Sequence, residues 1–178
     1  MEKQVVHYGE FQSPIGTITV FTSPAGVSRI DFGCADDVLP VAETWYKKHH
    51  VKADLVYNPE IIEPITIQLE EYFSGKRRFF DLKLDMVGTI FQQKVWNNLT
   101  EIPYGETRSY RDVAVNISAP KAVRAIGSAN NRNPLPIIVP CHRVIGSNGA
   151  LVGYGGGVDK KEYLLSLEQQ NAMHVALP

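Results

Sequence analysis

The strongest chemical signal in the chain is Pro140-Cys141-His142-Arg143. A cysteine reacts as its thiolate, and cationic neighbours lower its pKa. This neighbourhood therefore predicts a Cys141 pKa below the free value of ~8.5. Adjacent residues of an extended chain point to opposite faces, so contact between Cys141 and His142 needs a bend or a bridging water. Glu168 is a candidate to orient the histidine as the third member of a relay. A free cysteine after Ile137-Ile138-Val139 is also suited to filling a core, and the dipeptide alone leaves both readings open. Cys34 has no such neighbours and reads as structural. The histidines are His7, His49, His50, His142 and His174. With two cysteines they form no structural-zinc spacing, so no metal is expected, and His49-His50 reads as surface. Gly153 to Gly157 lacks the Lys-Ser/Thr of a phosphate loop.

A second group is basic. Residues 107–143 hold Arg108, Arg111, Lys121, Arg124, Arg132 and Arg143 against Asp112 alone, a net of +5. The whole chain carries −1, which by itself predicts no nucleic-acid partner, while the local patch fits either a polyanion or a solvated face. Ala122, Ala125 and Ala129 lie three and four apart and share one helix face, which permits close approach to another surface. Val123 and Ile126 are assigned to the core, and Arg124 and Tyr110 to the outward surface.

These residues need a scaffold. The chain has 178 residues, 44% hydrophobic and 21% charged, which describes a globular protein of one or two domains. No apolar run approaches the ~20 residues of a transmembrane helix, and no secretion signal is read at the N-terminus. Two cysteines without an export signal point to a reducing, cytoplasmic setting. Val5–Phe11, Ile15–Thr22 and Gly26–Phe32 read as strands. Helices are predicted from Val38 to His50, with Val41, Trp45 and His49 as its stripe, and from about Pro59 to Phe73, with Ile61, Ile65 and Leu69 inward. Phe79 to Leu84 alternates like a strand. Beyond a boundary near Asp85 to Thr89 the pattern becomes helical. Phe91 to Leu99 is amphipathic, Ser109-Tyr110-Arg111-Asp112 is a capping box, and Ser118 reads as the N-cap of the next helix with Pro120 early in its first turn. Two short helices so close together outline a helix-turn-helix. Asp159 to Glu168 is the last helix. The fold class is α/β (α+β). A small N-terminal sheet-plus-helix domain, residues 1–86, precedes a mostly helical domain, residues 87–178.

The string from Asn133-Pro134-Leu135-Pro136 through Pro140-Cys141-His142-Arg143-Val144 closely resembles the active-site signature of the O6-alkylguanine-DNA alkyltransferases. Gly149-Ala150 and Gly153-Tyr154-Gly155-Gly156 extend the match. Tyr110 and Ala122 to Gly127 match the family's helix-turn-helix, and Lys161 to Glu168 its last helix. The firm resemblance covers residues 90–170, and residues 1–85 resemble the family's ribonuclease-H-like domain loosely. The resemblance implies direct repair of duplex DNA by single-turnover transfer of an alkyl group from guanine O6 to Cys141. It implies that His142 acts as base through a water, Glu168 holds His142, Asn133 braces the cysteine turn and Tyr110 protonates the departing guanine. Carbonyls of Cys141 and Val144 would read the 2-amino group, and Pro136, Tyr154 and Gly155 would line the substrate pocket. Arg124 would fill the gap left by a flipped base. Lys121, Arg132 and the alanine face would contact the minor groove with little sequence preference. The expected protein is monomeric and needs no cofactor. Gly155 stands where some members carry serine, which leaves only backbone for contact there. The rival reading from the same residues is a Cys-His-Glu hydrolase, which would turn over repeatedly without DNA.

Overall fold

A computed structural model describes residues 2–175, and the chain divides into two compact units, Met1–Val87 and Gly88–Pro178. The first unit is a four-stranded sheet in the order β3-β2-β1-β4. Strands β1 (Gln4–Ser13), β2 (Gly16–Ser23) and β3 (Gly26–Phe32) form an antiparallel meander, and β4 (Ala53–Tyr57) runs parallel to β1. Helix α1 (Ala35–Lys48) buries Val38, Ala42 and Tyr46 against Val6 and Phe21 of the sheet. Helix α2 (Pro59–Phe73) covers the opposite face, where Phe73 stacks on Phe11. Gly9 keeps that approach close, since a Cβ there would sit 3.2 Å from Ile62.

Four sequence expectations fail in this unit. α1 starts at Ala35 rather than Val38, and its inward stripe is 38/42/46, leaving Val41 55% exposed. Likewise α2 buries Ile62 while Ile61 is 44% exposed. Strand β4 was not expected, because its residues are too polar and exposed for an alternating pattern. Residues 79–84 form no strand. Only Leu84 bridges to Val27, where the Val27 amide donates to Lys83 O at 2.9 Å and the Asp85 amide to Val27 O at 2.8 Å. Gly26, at φ 137°, permits this crossing, since a Cβ would lie 2.4 Å from Lys83 O.

The second unit is built from six elements besides the Cys141 turn. Helix α3 (Ile90–Leu99) opens with a Thr89/Gln92 capping box and sends Trp96 inward, whose Nε1 donates to Ala129 O at 2.8 Å. Strand β5 (Arg108–Ser109) pairs in parallel with β6 (Val144–Ile145) and leads directly into α4 (Tyr110–Asn116). The predicted capping box is present. Asp112 N donates to Ser109 Oγ at 3.0 Å and Ser109 N to the Asp112 carboxylate at 2.8 Å. α5 (Val123–Asn131) follows, and α6 (Val158–Val175) closes the unit.

Ser118 does not cap α5. It lies at φ 61° and terminates α4 instead: its amide donates to Val115 O at 3.0 Å, and that of Ala119 to Ala114 O at 2.8 Å. This is the paired C-terminal closure in which the left-handed position normally holds glycine. α5 therefore starts later than expected, at Val123, with Ala122 as a cap lacking a side-chain hydrogen bond.

Candidate active site

Cys141 opens a single 3-10 turn, Cys141–Arg143, behind Pro140. That turn supplies the bend which an extended chain would lack. Asn133 braces the loop that delivers it, with Nδ2 donating to Val139 O at 2.8 Å and Oδ1 accepting from Leu135 N at 2.9 Å. Between those two contacts Ile137 sits at φ 75°, a left-handed conformation rare for a β-branched residue. Asn130 Nδ2 donates to the Cys141 carbonyl at 3.3 Å. Pro136 is buried within the same loop.

The turn sends His142 and Arg143 onto one carboxylate from α6. His142 Nε2 lies 2.7 Å from Glu168 Oε1, with both side chains fully buried. Arg143 Nε donates to Glu168 Oε2 at 2.9 Å and Nη2 to Oε1 at 2.9 Å, while Nη1 donates to Ile102 O at 2.6 Å. Gly105 N adds a bond to Oε2 at 3.2 Å. Burial works to raise the Glu168 pKa, but hydrogen bonds from His142 and Arg143, with the Arg143 charge, hold it at about 2. Burial lowers the His142 pKa, so the imidazole is neutral, and its Nδ1 has no hydrogen-bond partner among the described residues.

The expectation of a lowered Cys141 pKa is overturned. The thiol is 4% exposed, and burial pushes it up to about 11 against the opposing pull of Asn133 and the Lys161 ammonium. The adjacent cations do not help because His142 is uncharged and Arg143 is neutralised by Glu168. Lys161, fully buried, is the cation that acts on the sulfur, and it escaped the sequence reading because it sits in an ordinary Lys160-Lys161 pair. Its Nζ donates to the carbonyls of Val144 and Val152, the latter at 3.0 Å. Arg143 was likewise read only as a neighbouring charge, although its fork to Glu168 is the most complete ion pair of the unit.

The remaining pocket residues come from α4, β6 and the 152–157 loop. Tyr110 Oη donates to Val152 O at 2.9 Å. Gly153, at φ 69°, is packed so closely that a Cβ would lie 3.1 Å from both Tyr110 Oη and Asn131 Oδ1. Burial raises the pKa of Tyr110, and that of Tyr154 further, and the Cys141 charge contributes to both, so the two phenols stay protonated beside the sulfur. Val144 is buried, and Gly155 is exposed with its Cα edge against Asn131 O.

On α5, Arg124 and Ala125 are exposed, as are Lys121 before it and Arg132 after it, and Ala122 is half-buried. The three-alanine face fails as a surface: Ala129 is 2% exposed and packs inward with Ile126 and Asn130. Val123, assigned to the core, is 38% exposed. Both follow from how α5 packs, with 126, 129 and 130 on the buried side and the Ala129 carbonyl bonded to Trp96. Cys34 caps α1 without a backbone bond from its side chain, and its Sγ donates to Asp37 at 3.1 Å. Among the described residues no three His, Cys, Asp or Glu side chains are grouped to hold a metal ion, and no helix is long and apolar enough to cross a membrane.

Two family models match: the 6-O-methylguanine DNA methyltransferase DNA binding domain over residues 90–170, and the ribonuclease-like domain of the same proteins over residues 6–86. The Methylated-DNA--protein-cysteine methyltransferase of Methanosarcina barkeri is 48% identical over 166 residues, covering 93% of this chain and 99% of the relative. The constitutive one of Bacillus subtilis is 44% identical, covering 92% and 95%. The crystal structure of Mycobacterium tuberculosis O6-methylguanine methyltransferase superposes with a TM-score of 0.77 at 43% identity, covering 93% and 94%. A structure of the M. tuberculosis OGT in complex with DNA gives 0.75 at 41%, covering 93% and 94%.

Proposed function

The chain belongs to the 6-O-methylguanine DNA methyltransferase family, and from that premise we infer that it repairs DNA directly, by moving a methyl or larger alkyl group from guanine O6 to its own Cys141. The observation that carries this reading is the His142–Glu168 bond. With Nε2 engaged by the carboxylate, the tautomer carrying a proton there leaves a lone pair on Nδ1, the nitrogen without a partner among the described residues. Nδ1 is the base that takes the thiol proton, through a water, and the imidazolium so formed is stabilised by Glu168. The thiolate attacks the alkyl carbon, the carbon–O6 bond breaks with its electron pair moving to guanine, and a carbon–sulfur bond forms. Tyr110, a protonated phenol at the pocket, supplies the proton that neutralises the departing guanine. The product thioether has no activated carbonyl for water to attack, so each chain acts once.

The alkyl group on O6 lies inside the base stack, and the thiol is buried, so the reaction requires the base to be flipped out of the duplex. Arg124 fills the space left behind. α5 enters the minor groove through Arg124 and Ala125, flanked by Lys121 and Arg132, and reads little sequence there. Asn133 keeps the cysteine loop in register, and the carbonyls of Cys141 and Val144, with Pro136, Tyr154 and Gly155, form the walls that receive the base. The protein acts as a monomer in a reducing compartment, the cytoplasm, where the acceptor thiol stays free.

Intact-mass measurement after incubation with duplex DNA containing O6-methylguanine tests the reading. One methyl per chain is expected, located on the Cys141 peptide, with none on Cys141→Ser and full labelling of Cys34→Ser. Label on Cys34, or repeated turnover without mass gain, overturns it in favour of another acceptor or of a hydrolase.

A further inference from the structure

The N-terminal unit carries a cleft of about 720 Å³ that the proposed reaction does not use. It lies between the C-terminal end of α1 and the start of β4, the outermost strand of the sheet. Its floor is apolar, built by Val51, Ala53 and Leu55, all half-buried. Its rim carries three lysines, Lys3, Lys47 and Lys52, with His50 beside them, all exposed, against the two carboxylates Glu43 and Asp54. Of the two carboxylates at the rim, Asp54 is paired with Lys3, and no ion pair engages Glu43 among the described residues. Among the described residues no ion pair engages Lys47, Lys48 or Lys52. This cluster stands out in a half of the chain, residues 1–85, with 9 Lys and Arg against 13 Asp and Glu.

The way α1 ends sharpens the point. His50 N donates to Lys47 O at 3.0 Å and Val51 N to Tyr46 O at 2.9 Å, the same paired closure that ends α4. The left-handed position, φ 58°, is occupied by His50 where glycine would be relaxed. The helix dipole accounts for lysines in the last turn, at 47 and 48. It does not account for Lys52 beyond the helix, for Lys3 on another segment, or for an imidazole kept at a glycine position.

We propose that this cleft is a second nucleic-acid contact, binding the deoxyribose-phosphate backbone of DNA without reading its bases. A backbone alternates anionic phosphates with apolar sugar faces, which matches a lysine-bearing rim above an aliphatic floor. The proposal rests on the reading that DNA is the partner of this chain.

The test uses the full chain and lesion-free duplex DNA, with binding followed by fluorescence anisotropy across a salt series. For Lys47→Gln/Lys52→Gln, affinity at about 50 mM salt should fall at least about tenfold, and the slope of log affinity against log salt should shrink by about 2, one phosphate for each lysine. His50→Gly should raise the melting temperature by relaxing the left-handed position while weakening binding, a pairing that a purely structural histidine does not produce. Transfer from the free base O6-benzylguanine, which needs no DNA, should keep its wild-type rate in every variant. An unchanged slope and affinity in the double variant overturns the proposal. Failure of the wild-type chain to take a methyl from damaged duplex is a separate result, and it overturns the repair reading instead.

Discussion

At Cys141 the nucleophile is kept protonated by the burial that shields it, with a pKa of about 11 against an ordinary 9.0. On the proposed reading, reactivity is switched on by proton transfer to His142 rather than stored as a resting thiolate. Iodoacetamide labelling of the free protein should rise with pH well beyond 9, and Lys161→Gln should move the midpoint higher by removing a cation that acts on the sulfur. A midpoint at or below the ordinary 9.0 would contradict this. The same shift has a stability consequence. The unfolded thiol loses its proton near pH 9 while the folded one holds it, so stability falls as pH rises from about 9 toward 11. Glu168 has the opposite sign. Its folded pKa of about 2 lies below the ordinary 4.5, so its contribution is complete above 4.5 and disappears as pH falls toward 2. Glu168→Gln should cost roughly 3–5 kcal/mol near neutral pH, because it leaves Arg143 buried without its counter-charge, and the loss should shrink in acid. Urea melts of both proteins at pH 7 and pH 3 check the sign. The contact of His142 with Glu168 was legible from residue types and family pattern. The electrostatics at Cys141 were not, because whether His142 and Arg143 charge the sulfur depends on where a carboxylate 25 residues downstream lands.

The elements show where local rules sufficed and where tertiary packing decided. Strands β1 to β3 follow their alternation and turns, helix α2 keeps the bounds its flanking residues set although its inward stripe shifts to Ile62, and the capping box at Ser109 forms as its spacing demands. Ser109→Ala should cost about 1 kcal/mol, seen as a lowered melting temperature, because Asp112 N loses its partner. Ser118 shows the limit of the same reasoning. Serine before a helical stretch reads as an N-cap, but the preceding helix claims it for its own termination. Cap logic expects Ser118→Gly to be neutral or slightly harmful. The left-handed φ of 61° expects a gain of about 0.5–1 kcal/mol. A thermal melt that shows no gain would restore the cap assignment. Strand β4 was illegible for a different reason: it sits at the sheet edge with Asp54, Val56 and Tyr57 exposed, so it carries no buried alternation.

At the scale of the whole molecule, charge is distributed unevenly: residues 86–178 hold 9 Lys and Arg against 6 Asp and Glu, while the first 85 residues are net acidic. A chain of net charge −1 cannot hold DNA by general attraction, so affinity must come from local cations and from close helix approach. The exposed face of α5 is narrow: Ala125 is small, and Ser128 and Arg124 flank it, while Ala129 has been withdrawn into the core. On such a face one long side chain, Arg124, can project into a duplex without a crowd of neighbours, which suits a plug for the position of a flipped nucleotide. It makes no ion pair among the described residues, so its loss should leave folding intact. Arg124→Ala should therefore slow methyl transfer from duplex DNA by about two to three orders of magnitude, the scale of losing a few kcal/mol of stabilisation for an unstacked base. Reaction with free O6-benzylguanine, which has no stack to leave, should be unchanged. Single-turnover rates on both substrates separate the alternatives. Equal losses on both would move Arg124 into the chemistry of the pocket, and a wild-type rate on duplex would mean that the gap is filled by another residue.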